Sequence, residues 1–402
     1  MDRAFVTTVG DCGGQLTRRM SGSPIAVVGA GPTGLAAALL LADTGYAVTL
    51  IAPASPVTDR RTSALLAGSV ALLERLGVWT ELAAGAAPLK TMRIVDGTKR
   101  LIRAPEVTFD AAEIGLAAFG YNVTNAELVA ALERALAARS IRTIDALAGD
   151  VAPAADQIAV ALANGDTVTA KLVIAADGRR SRVREAVGIA SDEWRYDQAA
   201  LVCNLRHTLP HHDASTEFHT EHGPFTLVPL SANHSSLVWV DRPVESARRL
   251  ALSDEEVAAE IEARSQSILG AITVEGLRQV FPLSGMTVRR FAASRVMLVG
   301  EAAHLFPPIG AQGLNLGYRD VAALGNILAG PLSDPGDDAN LAACDRARRV
   351  DVLSRTAAVD ALNRTLLSDF LPAQALRGLG LFLVDRIPAL RLMAMRQGVA
   401  AL

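Results

Sequence analysis

The run PIAVVGAGPTGLAAALLLADTGYAVTLIAP, residues 24 to 53, leaves this chain few folds to choose from. A mostly β-branched run from Ile25 to Val28 leads into Gly29-Ala30-Gly31-Pro32-Thr33-Gly34. An Ala/Leu run of helical length follows, Gly45 breaks it, and a second apolar run spans Ala47 to Ile51. Strand, glycine turn, helix and strand in this order predict a βαβ unit opened by GxGxxG. Each glycine has a mechanical reason. Gly29 makes the tight turn, Gly31 lets a pyrophosphate approach backbone, and Gly34 lets helix and strand pack closely. The helix amino terminus then offers free N–H groups and a partial positive charge to that phosphate. An acidic residue that would bind the ribose is expected where the second strand ends, and Ala52 stands there, followed by Pro53. The ribose must find another partner; Arg60 and Arg61 just downstream are candidates for phosphate contact.

Two further stretches repeat the strand-then-glycine logic. Residues 156 to 189 read as a hairpin about Asn164-Gly165, a pair suited to a type I′ turn, whose second strand delivers Asp177-Gly178 at its carboxyl end. Asp-Gly is also an ordinary turn pair, but here Ser181 and Arg184 follow at the start of a helix. Later, the buried run Val296 to Val299 ends in Gly300-Glu301. The sequence continues GEAAHLFPPIGAQGLNLGYRD into a helix predicted to start near Gly313-Leu314-Asn315. A glycine-rich turn feeding a helix suits a planar ligand whose one edge gathers negative charge on reduction, as a flavin's does.

Composition excludes other classes. With 402 residues, half of them apolar, the chain can bury two cores. A net charge of −3 and no dense basic run exclude a nucleic-acid surface. Cys12, Cys203 and Cys344 are odd in number and far apart, which argues against a disulfide framework or zinc site and fits a reducing cytoplasm. The histidines and acids between His207 and His222 match no metal-ligand spacing, so no metal is expected. No apolar run is long enough to span a bilayer, and residues 1 to 23 read as a disordered leader. His304 is a candidate general base, set against the commoner reading of a buried structural histidine.

GxGxxG, Asp-Gly and the Gly-Glu-Ala-Ala-His/Pro-Pro-Ile-Gly-Ala-Gln-Gly-Leu-Asn run together resemble the single-component FAD-dependent aromatic hydroxylases, typified by para-hydroxybenzoate hydroxylase. Within that group, RTSALLAGSVALLERLGVW, GAQGLNLGYRDVAALG and the tail from Leu362 look most like the flavin hydroxylases of ubiquinone biosynthesis. The resemblance implies an α/β fold: a Rossmann-like FAD-binding domain (24–80, 115–185, 285–330), a mainly antiparallel β-sheet substrate domain (81–114, 186–284), and a C-terminal helical region (331–402). It places Gly29, Gly31 and Gly34 on the FAD pyrophosphate and Arg61 near the cofactor. Asn125 stands where arginine or glutamine is usual, near the flavin chain. Asp177 and Gly178 match the motif tied to FAD and nicotinamide use. Gly300-Glu301 stands where aspartate usually holds the ribityl chain, and Pro308, Gly310, Gly313, Leu314 and Asn315 line the isoalloxazine ring.

The implied reaction uses NAD(P)H and O2 and hydroxylates a phenol, prenylated in the ubiquinone branch, through a flavin hydroperoxide. The alternatives are a hydroxylase of a soluble aromatic compound and a non-catalytic flavin-binding subunit. Pro307-Pro308 departs from the ubiquinone-type loop toward the general phenol-hydroxylase form. The tail from Leu376 to Met395 carries apolar residues at helical spacing with Arg377, Arg386, Arg391 and Arg396 beside them. It suits contact with the inner face of a membrane, with a biosynthetic complex, or with the chain's own core.

Overall fold

The computed structural model describes residues 24–54, 61–98, 103–139, 141–307 and 311–367, and from the tail 380, 382–383 and 386–398. Cys12 and the leader 1–23, Arg60, Pro308, Gly310, Leu376 and Arg377, named above, lie outside these residues.

Strand β1 (Pro24–Val28), helix α1 (Pro32–Asp43) and strand β2 (Ala47–Ile51) form as their composition dictates. β1 is apolar at every position from Ile25 onward because both its faces are covered, the pattern of a parallel strand. Ile25 and Val27 pack with α1, whereas Ala26 and Val28 face a second core on the other side. α1 is apolar nearly all round, with Gly34 through Leu41 buried, so its Ala and Gly positions give close approach rather than an amphipathic stripe.

Around this unit runs a six-stranded sheet in the order Ala292–Ala293, Val296–Leu298, Leu172–Ala175, β1, β2, Arg142–Ile144. All its pairings are parallel except that of the first two strands. Helix Gln312–Ile327 crosses α1 so closely that a Cβ on Gly325 would lie 2.8 Å from Leu40.

The hairpin about Asn164-Gly165 is present, joining Ile158–Leu162 to Thr167–Ala170, but it differs from expectation in two ways. Only Gly165 has positive φ (+90°), whereas a type I′ turn needs two such residues, so the loop is a type I turn relieved by a glycine bulge. The hairpin's second strand also does not deliver Asp177. The chain changes sheets at Lys171, whose N–H donates to the Pro24 carbonyl at 2.8 Å, and the separate strand Leu172–Ala175 carries the Asp-Gly pair.

The second large sheet has eight strands, mostly antiparallel, centred on two seventeen-residue strands, Ser191–His207 and Ile272–Val288. Its residues alternate faces. Leu201, Cys203, Leu205, Leu237 and Trp239 pack under helix Asp254–Arg264, while Ala200, Val202, Val238, Val240 and Leu283 line the other face. Ser236 shares that second face and accepts from the Thr62 hydroxyl at 3.0 Å, so the face looks toward strand Thr62–Leu66, part of a separate three-stranded sheet with Gly120–Thr124 and Ala87–Leu89. His207 and His219 lie in strands of this sheet.

Helix Asp338–Leu367 packs on Gln312–Ile327, and helix Pro388–Gly398 closes the described chain. In the latter, Arg391 turns inward. It bonds both Glu113 oxygens (2.5 and 2.6 Å) and the Thr108 carbonyl, and its guanidinium lies 4.8 Å from the Phe109 ring. Met395 is buried beside them. Among the described residues no helix is long and apolar enough to cross a membrane.

Candidate functional site

The strands ending at Leu298, Ala175 and Val28 are neighbours in the parallel sheet, so Gly300-Glu301, Asp177-Gly178 and Gly29-x-Gly31-x-x-Gly34 meet along one carboxyl edge. Ligands of open α/β sheets gather at such an edge.

Gly29 has φ +108° and donates its N–H to the Ile51 carbonyl at 2.9 Å. A Cβ there would lie 2.3 Å from the Ala176 carbonyl oxygen, so no other residue fits. Gly34 is equally closed, 2.0 Å from the Gly29 carbonyl. Among the described residues, Gly31 instead faces open space with extended backbone, and no side chain caps α1. The first-turn N–H groups of Thr33 and Gly34 are left for an anion.

One Asp177 oxygen accepts the Val183 N–H at 3.3 Å, and the other is buried and has no partner among the described residues. Ser181 caps the following helix, Arg182–Ala186. Buried Arg184 donates to the carbonyls of Ala302 and Arg179, each at 3.0 Å, which ties the Asp-Gly loop to the Gly-Glu loop.

Gly300 has φ +60°, packs against Thr33, and donates its N–H to Asp320 at 2.8 Å. Glu301, next to it, is exposed with its carboxylate available. His304 is buried, with Nε2 2.7 Å from the same Asp320 oxygen, and Arg348 donates to the other at 2.6 Å. Burial pushes the Asp320 carboxyl up, but His304 and Arg348 more than offset this and hold it below the usual range. His304 is thus a buried histidine held by a carboxylate, and Asp320 is a residue that sequence reasoning missed. Its only signal was an acid on the apolar stripe of Leu316, Val321 and Leu324.

At the start of helix Gln312–Ile327, Ala311 takes φ +53°, and Gly313 is exposed with Leu314 partly buried. The Asn315 amide is wholly used by the protein. It accepts from the Leu66 N–H (2.9 Å) and Ser69 hydroxyl (2.6 Å) and donates to the carbonyls of Ala64 and Ala311. Its side chain ties the start of this helix to strand Thr62–Leu66 and to Ser69. Asn125 N–H bonds the Arg61 carbonyl at 2.9 Å, and its side chain accepts from Ser63 at 2.6 Å. The Arg61 guanidinium lies 5.3 Å from the Phe281 ring, in a cavity with Val202, Asn204 and Glu275 at the second sheet.

An open glycine, free helix N–H groups, an orphaned buried carboxylate oxygen and an exposed acid on one edge fit a dinucleotide carrying hydroxyls and a pyrophosphate. The sequence profile of the FAD binding domain family matches residues 23–356. The chain belongs to this FAD-binding family. It is 34% identical to the ubiquinone hydroxylase UbiL of Rhodospirillum rubrum over 94% of this chain and 90% of that one. It is 33% identical to the 3-demethoxyubiquinol 3-hydroxylase of Escherichia coli over 92% and 97%. Among solved structures, p-nitrophenol 4-monooxygenase PnpA from Pseudomonas putida superposes with TM-score 0.75 at 20% identity, covering 93% of this chain and 98% of that one. Klebsiella pneumoniae HpxO, complexed with FAD and uric acid, gives 0.75 at 18% over 94% and 97%. These two share the fold. By family, the cofactor is FAD with NAD(P)H as co-substrate, and the enzyme class is the FAD-dependent aromatic monooxygenases.

Proposed function

We propose that this protein hydroxylates the ring of a prenylated phenol intermediate of ubiquinone biosynthesis, with NAD(P)H and O2 as co-substrates. The observation that carries this reading is the near full-length likeness to two ubiquinone-pathway hydroxylases on a chain whose three cofactor motifs share one sheet edge. FAD, when bound, supplies the redox and oxygen chemistry.

The chain's residues hold and orient it. The Thr33 and Gly34 N–H groups bind the pyrophosphate, Asp177 and Glu301 accept cofactor hydroxyls, and Arg61 with Asn125 stands beside the flavin chain. The backbone from Ala311 to Asn315, at a helix amino terminus, stabilises negative charge on the ring edge. Val202, Val238, Val240 and Leu283 give the facing sheet an aliphatic surface, which excludes water and suits an aromatic ring bearing an alkyl chain.

A prenylated substrate also favours work at a membrane surface. Phe382, Ile387 and Met393 are the exposed apolar residues of the described tail, and we assign any lipid contact to them, since Arg391 is committed to Glu113. The test is oxygen uptake by the FAD-loaded protein. It should depend on both NAD(P)H and a prenylated phenol, and a strain lacking the protein should accumulate an under-hydroxylated quinone precursor. Uptake driven only by short, soluble phenols would sink the substrate assignment.

A further inference from the structure

β2 ends without an acid, but its neighbour does not. Strand Arg142–Ile144 runs parallel to β2 on its outer side with Ile51 opposite Ile144, and the Ala52 N–H continues the ladder to the Ile144 carbonyl at 3.1 Å. The residues that follow, Ala52 and Asp145, therefore stand side by side, one strand spacing of roughly 5 Å apart. Asp145 is exposed, and one of its oxygens accepts the Ala54 N–H at 2.7 Å, which draws the carboxylate over the end of β2. Its second oxygen has no hydrogen bond among the described residues.

We propose that Asp145 is the acceptor for the adenosine ribose hydroxyls of FAD, the carboxylate having moved one strand outward from its usual place at Ala52. The inference rests on the FAD reading above, and the order of the sheet supports it. Across the carboxyl edge the sequence is Glu301, Asp177, the glycine turn of β1, Ala52, Asp145. With the pyrophosphate at α1 and the flavin half running toward Glu301, the adenosine half runs the other way, over β2 to the strand that bears Asp145. A vicinal diol arriving there donates two hydroxyls, and a carboxylate with a free oxygen is a strong acceptor for them. The Ala54 hydrogen bond fixes the direction of that oxygen in advance.

The test is titration of apoprotein with FAD and with FMN, which lacks the adenosine, followed by flavin fluorescence. Asp145→Ala should raise the FAD Kd about tenfold, the worth of a charged hydrogen bond, and leave the FMN Kd unchanged. Asp145→Asn, which keeps the Ala54 bond, should fall between. Ala52→Glu alone should bring no gain, because it sets a second carboxylate beside the first, whereas in the Asp145→Ala background it should restore FAD affinity. An unchanged FAD Kd in Asp145→Ala overturns the assignment, and so does an equal loss of FAD and FMN affinity, which would mark Asp145 as a loop anchor only. Wild-type protein that binds neither flavin would instead remove the cofactor reading on which this one stands.

Discussion

Glu301, in the Gly300–Ala302 turn, and Asp320, in helix Gln312–Ile327, do opposite work. Glu301 is exposed, while Asp320 is buried beneath the turn, accepting from Gly300, His304 and Arg348 and so fixing its shape. Glu301→Ala should weaken FAD binding by about 1 to 3 kcal/mol, the cost of leaving ribityl hydroxyls without their acceptor. Calorimetric titration checks this, and unchanged affinity removes Glu301 from the site. Gly29 and Gly34 were legible in the sequence because their reasons are local: a turn and a close approach that only glycine permits. Asp320 and Asp145 were not, because their roles come from partners brought together by the fold. Asp320 meets His304 sixteen positions away, and Asp145 meets Ala52 only through strand register.

Between elements, the helices Gln312–Ile327 and Asp338–Leu367 are joined by buried charge. Asp320 pairs with Arg348, and Asp351 accepts from Arg319, Arg348 and Arg355. Asp320→Asn removes a buried counter-charge, leaves Arg348 to Asp351 alone and takes the charged acceptor from His304, so it should cost about 3 kcal/mol in urea unfolding, the low end for breaking a buried pair. Burial raises the Asp351 carboxyl, but the bonds from Arg319 and the charge of Arg348 outweigh it and leave it well below the usual carboxylate range. Asp320 is depressed as well. A carboxylate whose folded pKa lies below its unfolded value of about 4 contributes fully above that pH, and loses the contribution as pH falls toward the folded value. The stability gap between wild type and Asp351→Asn should therefore be widest near neutrality and narrow below about pH 4, and a gap independent of pH would contradict the pairing. Helix and strand placement was largely legible, since β1, α1 and β2 follow apolar runs cut by glycine. The change of sheet at Lys171 was not, because two adjacent apolar strands read alike along the chain whichever sheet receives them.

Across the whole molecule, the eight-stranded sheet meets the strand Thr62–Leu66 through Ser236 and Thr62, and the tail is pinned to Glu113. Arg391 pulls the Glu113 carboxyl down to about 2, so this ion pair holds throughout the neutral range and weakens only as pH drops from about 4 toward that value. Arg391→Glu should release the tail, seen as faster proteolysis after residue 367 with the core intact. If the tail also meets lipid, the wild type should float with anionic vesicles, and replacing Phe382, Ile387 and Met393 by Ser should abolish flotation without loss of FAD. Unchanged flotation in that variant would leave the exposed apolar residues without this role. Of the alternatives the sequence left open for the basic fringe, Arg391 follows contact with the chain's own core, a choice that spacing along a helix could not make because it does not say which side another segment will cover.

The central claim, an aromatic hydroxylase fed by NAD(P)H, is tested most directly by turnover under labelled dioxygen. FAD-loaded protein given NAD(P)H, a prenylated phenol and oxygen-18 gas should yield a ring-hydroxylated product carrying the label, formed in step with NAD(P)H oxidation. NAD(P)H oxidation that leaves every phenol unlabelled, or FAD held with no turnover at all, would contradict it.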